Sequence, residues 1–123
     1  MSLSWDQRAQ NAEAISLTSG TSWTDVATKT VWVDENYKLW IVASWVATAA
    51  VSAGDFRITI DGAEVRIAPA PVGAVSGFLQ HWMPCSASTN YVVKLQCRRG
   101  GVALTTLDIA AGDGQLSLLQ TSA

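Results

Sequence analysis

The stretch LWIVASWVATAAV, Leu39 to Val51, is apolar at every position except Ser44 and Thr48. A membrane span takes about 18 to 25 apolar residues, so this run is too short, and the choice lies between helix and strand. Ile41, Val42, Val46, Thr48 and Val51 are β-branched, and Trp40 and Trp45 are aromatic. Both kinds of side chain favour a strand, with room for a bulge near the alanine-rich end. Alternation then sends Leu39, Ile41, Ala43, Trp45 and Ala47 to one face and Trp40, Val42, Ser44, Val46 and Thr48 to the other. Both faces are largely apolar, so both are expected to leave water. The interior of a sandwich covers only the first set. A loop, the N-terminal segment or another subunit must cover Trp40, Val42 and Val46, whose burial contributes roughly 5 kcal/mol at ~25 cal/mol/Å². Another subunit is the favoured cover, because a chain of 123 residues has few to spare for a lid and obligate interfaces resemble a core cut in half.

Outward from that run, turn signals punctuate the chain: TSGTS at 18–22, DEN at 34–36, SAGD at 52–55. In FRITIDGAEVRI, Phe56, Ile58 and Ile60 alternate with polar residues before Asp61-Gly62, the mark of a hairpin whose two central residues need positive φ. Gly100-Gly101 is read as the same device between YVVKLQCRR and VALTTLDI. Tyr91, Val93, Leu95 and Cys97 form one core face, with Lys94 and Gln96 outward, and Leu116 and Leu118 share a face of a closing strand. APAPVG is read as a loop, since proline cannot sit in a central ladder. Apolar runs near 13–18, 28–34, 38–51, 56–60, 63–68, 76–83, 91–98, 102–109 and 115–121 give eight or nine strands. The expected fold is all-β, a single antiparallel β-sandwich of jelly-roll type. Residues 13–123 form this domain and residues 1–12 stand apart as an N-terminal arm, in which Trp5 is the expected docking residue on a partner.

Charged residues are 15% and hydrophobic ones 49%, which excludes a disordered chain. The net charge of −2 gives no nucleic-acid footprint. MSLSWDQRAQ lacks the basic start and apolar run of a secretory signal. Cys85 and Cys97 lack metal-ligand spacing, and His81 is the only histidine, so no metal and no cofactor are expected. The cysteines are read as half-buried free thiols, with a disulfide as the lesser alternative. No nucleophile elbow, phosphate loop or calcium loop is present, and His81, between Leu79 and Met83 in the alternation, reads as a strand residue and not a base. The chain is expected not to be an enzyme.

Six tryptophans are several-fold above ordinary usage. Trp23, Trp32 and Trp45 read as core or interface residues. Trp5 and Trp82 are better placed for exposed contacts, and a carbohydrate-binding module using Trp82 with His81 is the rival reading.

The order of TSWTDVATKTVWV, YKLWIVASW, FRITIDGAEV, STNYVVKLQCRRGGVALTTLDI and LSLLQ resembles small jelly-roll domains of tailed-phage virion proteins, similar in layout to trimeric tumour-necrosis-factor and C1q-like folds. The resemblance spans about residues 16–121. It implies a non-enzymatic virion protein, a capsid decoration or tail or fibre component, made in the bacterial host cytoplasm. The implied partners are its own copies, as a homotrimer, other virion proteins and host surface glycans. No membrane insertion is expected.

Overall fold

The computed structural model describes residues 3–85 and 88–122, with side chains described over 7–85 and 88–121. The described residues form ten strands in two antiparallel sheets. They are β1 (Leu3–Gln10), β2 (Ile15–Leu17), β3 (Thr24–Val33), β4 (Tyr37–Ala50), β5 (Gly54–Ile60), β6 (Ala63–Ala70), β7 (Gly73–Pro84), β8 (Thr89–Arg98), β9 (Thr106–Ile109) and β10 (Gly114–Ser122). The larger sheet is centred on β4. One edge of β4 pairs along its length with β7, and the other pairs first with β10 and then, at Thr48–Ala50, with β9. Outside these lie β1 against β10 and β2 against β9. The smaller sheet runs β3-β8-β5-β6.

The long apolar run is the strand its β-branched and aromatic residues predict. Leu39, Ile41, Ala43, Trp45, Ala47 and Ala49 are all buried, as the alternation requires. They meet Phe56, Ile58, Val93, Leu95 and Cys97 from the smaller sheet and Leu116 and Leu118 from β10. Trp45 fills the gap between sheets by stacking on Phe56 at 4.2 Å and 5°. Its indole also lies over Gly77, where an added Cβ would sit 2.5 Å from the ring. The run ends at Val51 with φ 75, left-handed backbone that a β-branched residue rarely adopts.

Asp61 (φ 51) and Gly62 (φ 86) make the expected tight turn between Ile60 and Ala63. Gly100-Gly101 does not repeat it. β8 lies in the smaller sheet and β9 in the larger, and the chain between them is a crossing loop over 99–105. APAPVG is shorter as a loop than its prolines suggested. Pro69 belongs to β6, a strand on the edge of its sheet with one partner, where a missing N–H is tolerated.

The N-terminal segment, expected to stand apart as an arm, runs over Leu3–Gln10 as edge strand β1. Where β1 gives way to β2, and β10 to β9, buried Asn11 bridges the two breaks. Its Nδ2 donates to the carbonyls of Glu13 (2.9 Å) and Ala110 (3.0 Å), and its Oδ1 accepts from Gly114 N–H (2.8 Å). Its backbone N–H donates to Gly114 O, and its carbonyl accepts from Gly112 N–H.

Candidate functional site

The sandwich has two outer faces of different chemistry. On the smaller sheet, Lys94 Nζ pairs with Asp25 at 3.0 Å, Arg98 with Asp55 at 3.0 Å and Arg57 with Glu64 at 3.3 Å. Gln96 donates to Asp25 at 2.7 Å, and the Gln96 and Lys94 bonds hold that carboxyl below the ordinary carboxylate range. Trp23 is covered by the guanidinium groups of Arg57 and Arg98, 4.1 and 4.4 Å from its ring. This is a surface built to stay wet.

The larger sheet's outer face is built from different residues. β4 sends out Trp40, Val42, Ser44, Val46 and Thr48, and in register beside them β7 sends out Trp82, Gln80, Phe78, Ser76 and Ala74. On the other side β10 supplies Leu119, Ser117 and Gln115. None of these thirteen residues carries a charge. Trp40 and Trp82 stack at 5.1 Å and 2°, and Trp40 Nε1 donates to Gln80 at 3.3 Å. That packing leaves Trp40 and Val42 half-buried within the chain itself. Phe78 (67%), Val46 (47%) and Trp82 (45%) remain exposed. Two shallow depressions flank Val46 where β9 and β10 part, one of them lined by Ser16, Thr48 and Asp108 and the other by Ser44, Ser76 and Gln115, with Asp113 shared. Ser16 Oγ donates to Asp108 at 2.6 Å at the margin of the first.

The structure therefore brings Trp40, Val42 and Val46 onto one face and adds Phe78 and Trp82 to them. Phe78 escaped the sequence reading, although the alternation in FLQHW that turns His81 inward with Leu79 and Met83 also turns Phe78 and Trp82 outward together. For the same reason the paired site of Trp82 with His81 does not form. Consecutive strand residues face opposite ways, and His81 lies opposite inward-facing Ile41. Its Nδ1 is buried without a partner among the described residues. Burial, followed by the charge of Arg66, pushes its pKa down from 6.5. Trp5 sits in β1 opposite Gln120; its side chain, the expected docking anchor, lies outside the described side chains. Of the tryptophans expected in core or interface, Trp45 is buried, Trp23 is half-buried under its arginines, and Trp32 is exposed, its Nε1 bonded to Asp34 at 3.1 Å.

Cys85 and Cys97 are free and both are buried. Burial raises the Cys85 thiol and pushes Cys97 up to about 12. Cys85 interacts with Tyr91, six residues along β8 from Cys97. At ~3.3 Å per residue that separation is about 20 Å, far beyond disulfide reach. No group of three or more His, Cys, Asp or Glu able to hold a metal ion occurs among the described residues. No protein-family model matches the chain, and no curated protein is detectably similar to it.

Proposed function

We propose that the chain is a non-enzymatic structural protein of a phage virion, a capsid decoration or tail or fibre component, that assembles as a symmetric trimer through the outer face of β4 and β7. The observation that carries this reading is the contrast between the two outer faces. One is laced with ion pairs, whereas the other presents Trp40, Trp82, Phe78, Val42 and Val46 at its centre, with charged residues at its margins in Lys38, Asp108 and Arg8. Interface centres are depleted of charge and enriched in aromatics, and Trp in particular anchors them.

The jelly-roll reading of the sandwich is part of the same proposal. Counting β1/β2 and β10/β9 each as one interrupted strand reduces the ten strands to eight, with order 1-8-3-6 in one sheet and 2-7-4-5 in the other. Every connection but the Asp61-Gly62 hairpin then crosses between sheets. Double Greek-key layouts of this kind recur in viral capsid and lectin domains. That breadth keeps one second reading open on a specific observation. Phe78 and Trp82 lie exposed on the same face of β7, about 13 Å apart at ~3.3 Å per residue, two aromatic rings of the kind that stack on sugars.

Sedimentation velocity at micromolar concentration tests the assembly. The wild-type chain is expected to run as a trimer. Phe78→Asp and Val46→Asp, both at exposed positions, are expected to run as the 13.1 kDa monomer with their thermal transitions kept. A wild-type monomer would overturn the assembly reading. The virion assignment predicts that gradient-purified phage particles from producing cells contain the chain, and particles lacking it would remove that assignment. Glycan-array binding abolished by Trp82→Ala would instead favour the sugar reading.

A further inference from the structure

One edge of the larger sheet lacks what the other edges have. Among the described residues, β1, β2, β3, β6 and β7 each pair on one side only. An open edge presents N–H and C=O groups that template pairing with another chain, and proteins blunt such edges with charge, proline, bulges or brevity. β1 carries Asp6 and Arg8 and shifts register between Leu3 and Trp5. β2 has three residues. β3 carries Asp25 and Lys29 and shifts register between Asp25 and Ala27. β6 carries Glu64, Arg66 and Pro69, and its ladder shifts opposite Ile58 and Thr59. β7 has none of these guards. Its twelve residues include no charged side chain, its one proline is the last of them, and its register with β4 is unbroken from Gly73 to Pro84.

Parity shows which backbone groups lie on that edge. Val46 N–H donates to Asp113 O at 3.0 Å, on the β10 side of β4. Successive residues of an antiparallel strand turn their N–H and C=O to opposite edges. The odd-numbered residues of β4 therefore turn theirs to β7, as Tyr37 does in accepting from Cys85 N–H at 3.0 Å. Their partners Gly77, Leu79 and His81 bond back into the sheet. Ala74, Ser76, Phe78, Gln80 and Trp82 consequently direct both backbone groups away from β4, to the open side. The inner flank of this edge is also thinly covered. Val75, Leu79, His81 and Met83 are half-buried, whereas Ala47, Ala43, Ile41 and Leu39 opposite them on β4 are buried.

We infer that this edge pairs antiparallel with β7 of a second copy about a two-fold axis at Phe78, joining the larger sheets of two molecules into one. Unpaired backbone groups in a row specify an extended strand as the occupant. Three observations favour the chain's own β7 over the strand of another protein. Because β7 carries no charge, self-pairing sets no like charges opposite one another. With Phe78 opposite the partner's Phe78, Ala74 lies opposite the partner's Trp82 and Ser76 opposite the partner's Gln80. Every free N–H and C=O of these five residues is then satisfied, and Pro84, which has no N–H to give, falls outside the pairing. The same register sets small against large on both flanks, with Gly77 beside the partner's Leu79 and Gly73 beside the partner's Met83. The strand is thus complementary to itself, as a two-fold contact requires. This contact runs through backbone and is independent of the threefold side-chain contact proposed above.

An edge pair is smaller than a standard interface, so it is expected to form at roughly a hundredfold higher concentration than the micromolar assembly. Sedimentation velocity at both concentrations tests it. The wild-type mass is expected to double at the higher one. Ser76→Pro removes an edge N–H that bonds nothing within the chain, and it should keep the melting transition and not double. Ser76→Ala, which keeps that N–H, should double like the wild type. Amide hydrogen exchange on the wild type gives a second reading: Ser76, Phe78, Gln80 and Trp82 should slow about tenfold or more on doubling. If Ser76→Pro does not fold, this exchange decides. Absence of doubling overturns the inference, as does equal doubling by a folded Ser76→Pro, or doubling with those four amides still exchanging fast. A micromolar monomer that becomes a dimer would keep this inference and remove the trimer, and a trimer that never doubles would do the reverse.

Discussion

His81 has its ring turned into the sandwich, one of its nitrogens buried without a partner among the described residues. Burial disfavours the charged imidazolium, and Arg66 adds to that, so the folded pKa lies below 6.5. The unfolded chain therefore takes up a proton first as pH falls. Stability decreases from about pH 6.5 down to the folded pKa and then stops changing on this account. Asp25 has a depressed pKa, and its contribution is present above the ordinary carboxylate value and lost as pH falls through the folded one. The His81 loss begins near pH 6.5 and the Asp25 loss near the ordinary carboxylate value. Because His81 is the only histidine, its C2-proton NMR signal can be followed without assignment. Its titration midpoint is expected below 6.5; a midpoint at or above that value would mean the ring is solvated.

Among the elements, the interrupted strands depend on one side chain. Asn11 connects β1, β2, β9 and β10 through bonds to Glu13, Ala110 and Gly114. Asn11→Ala would leave the Gly114 N–H and the Ala110 carbonyl without these partners, and a buried unsatisfied group costs about 1–3 kcal/mol. The variant is expected to lose about 2–4 kcal/mol by urea denaturation, with Ala12→Ser, an exposed neighbour, close to wild type. A loss under about 0.5 kcal/mol would show that water replaces the amide.

Nothing in the sequence near Asn11 announces this, because Ala110 and Gly114, the partners that tie it to the other strands, lie about a hundred residues away. β1 was illegible for a related reason. Only one strand pairs with it, and Gln7, Arg8 and Gln10 dilute its apolar alternation, leaving half-buried Ala9 as the described core contact. By contrast, β4 and the β5–β6 hairpin were legible, since period, β-branching and turn chemistry are local signals. The outer face was half legible: Trp40, Val42 and Val46 follow from β4 alone, whereas adding Phe78 and Trp82 needs the register of β7. The meeting of exposed Val51, Val72, Val102 and Leu104 at one end of the sandwich was not legible at all, since they come from three separate loops and only topology gathers them.

At the scale of the whole molecule, one outer face is laced with ion pairs and the other has an aromatic centre with charge at its margins. The two thiols mark opposite ends. Cys97 lies beside the 99–105 loop at the Arg98 terminus of β8, and Cys85 lies at the far end with Tyr37 and Asn36. Leu3 pairs with Thr121 at that far end, so the two extremities of the described chain leave the sandwich at the same corner. Tension applied between them would not load all the rungs of the β1–β10 ladder together. It would open them in succession, as a zip opens, until the tear reached Asn11 and met its cluster of bonds. Force spectroscopy on a chain held by its two ends is expected to show an early low-force lengthening of about 25–30 Å, the contour of some eight extended residues, followed by rupture of the rest at higher force. One abrupt rupture without the early step would contradict this. A chain tethered at that corner would thus yield in two stages, giving way slightly under a tug before the body of the sandwich bears strain.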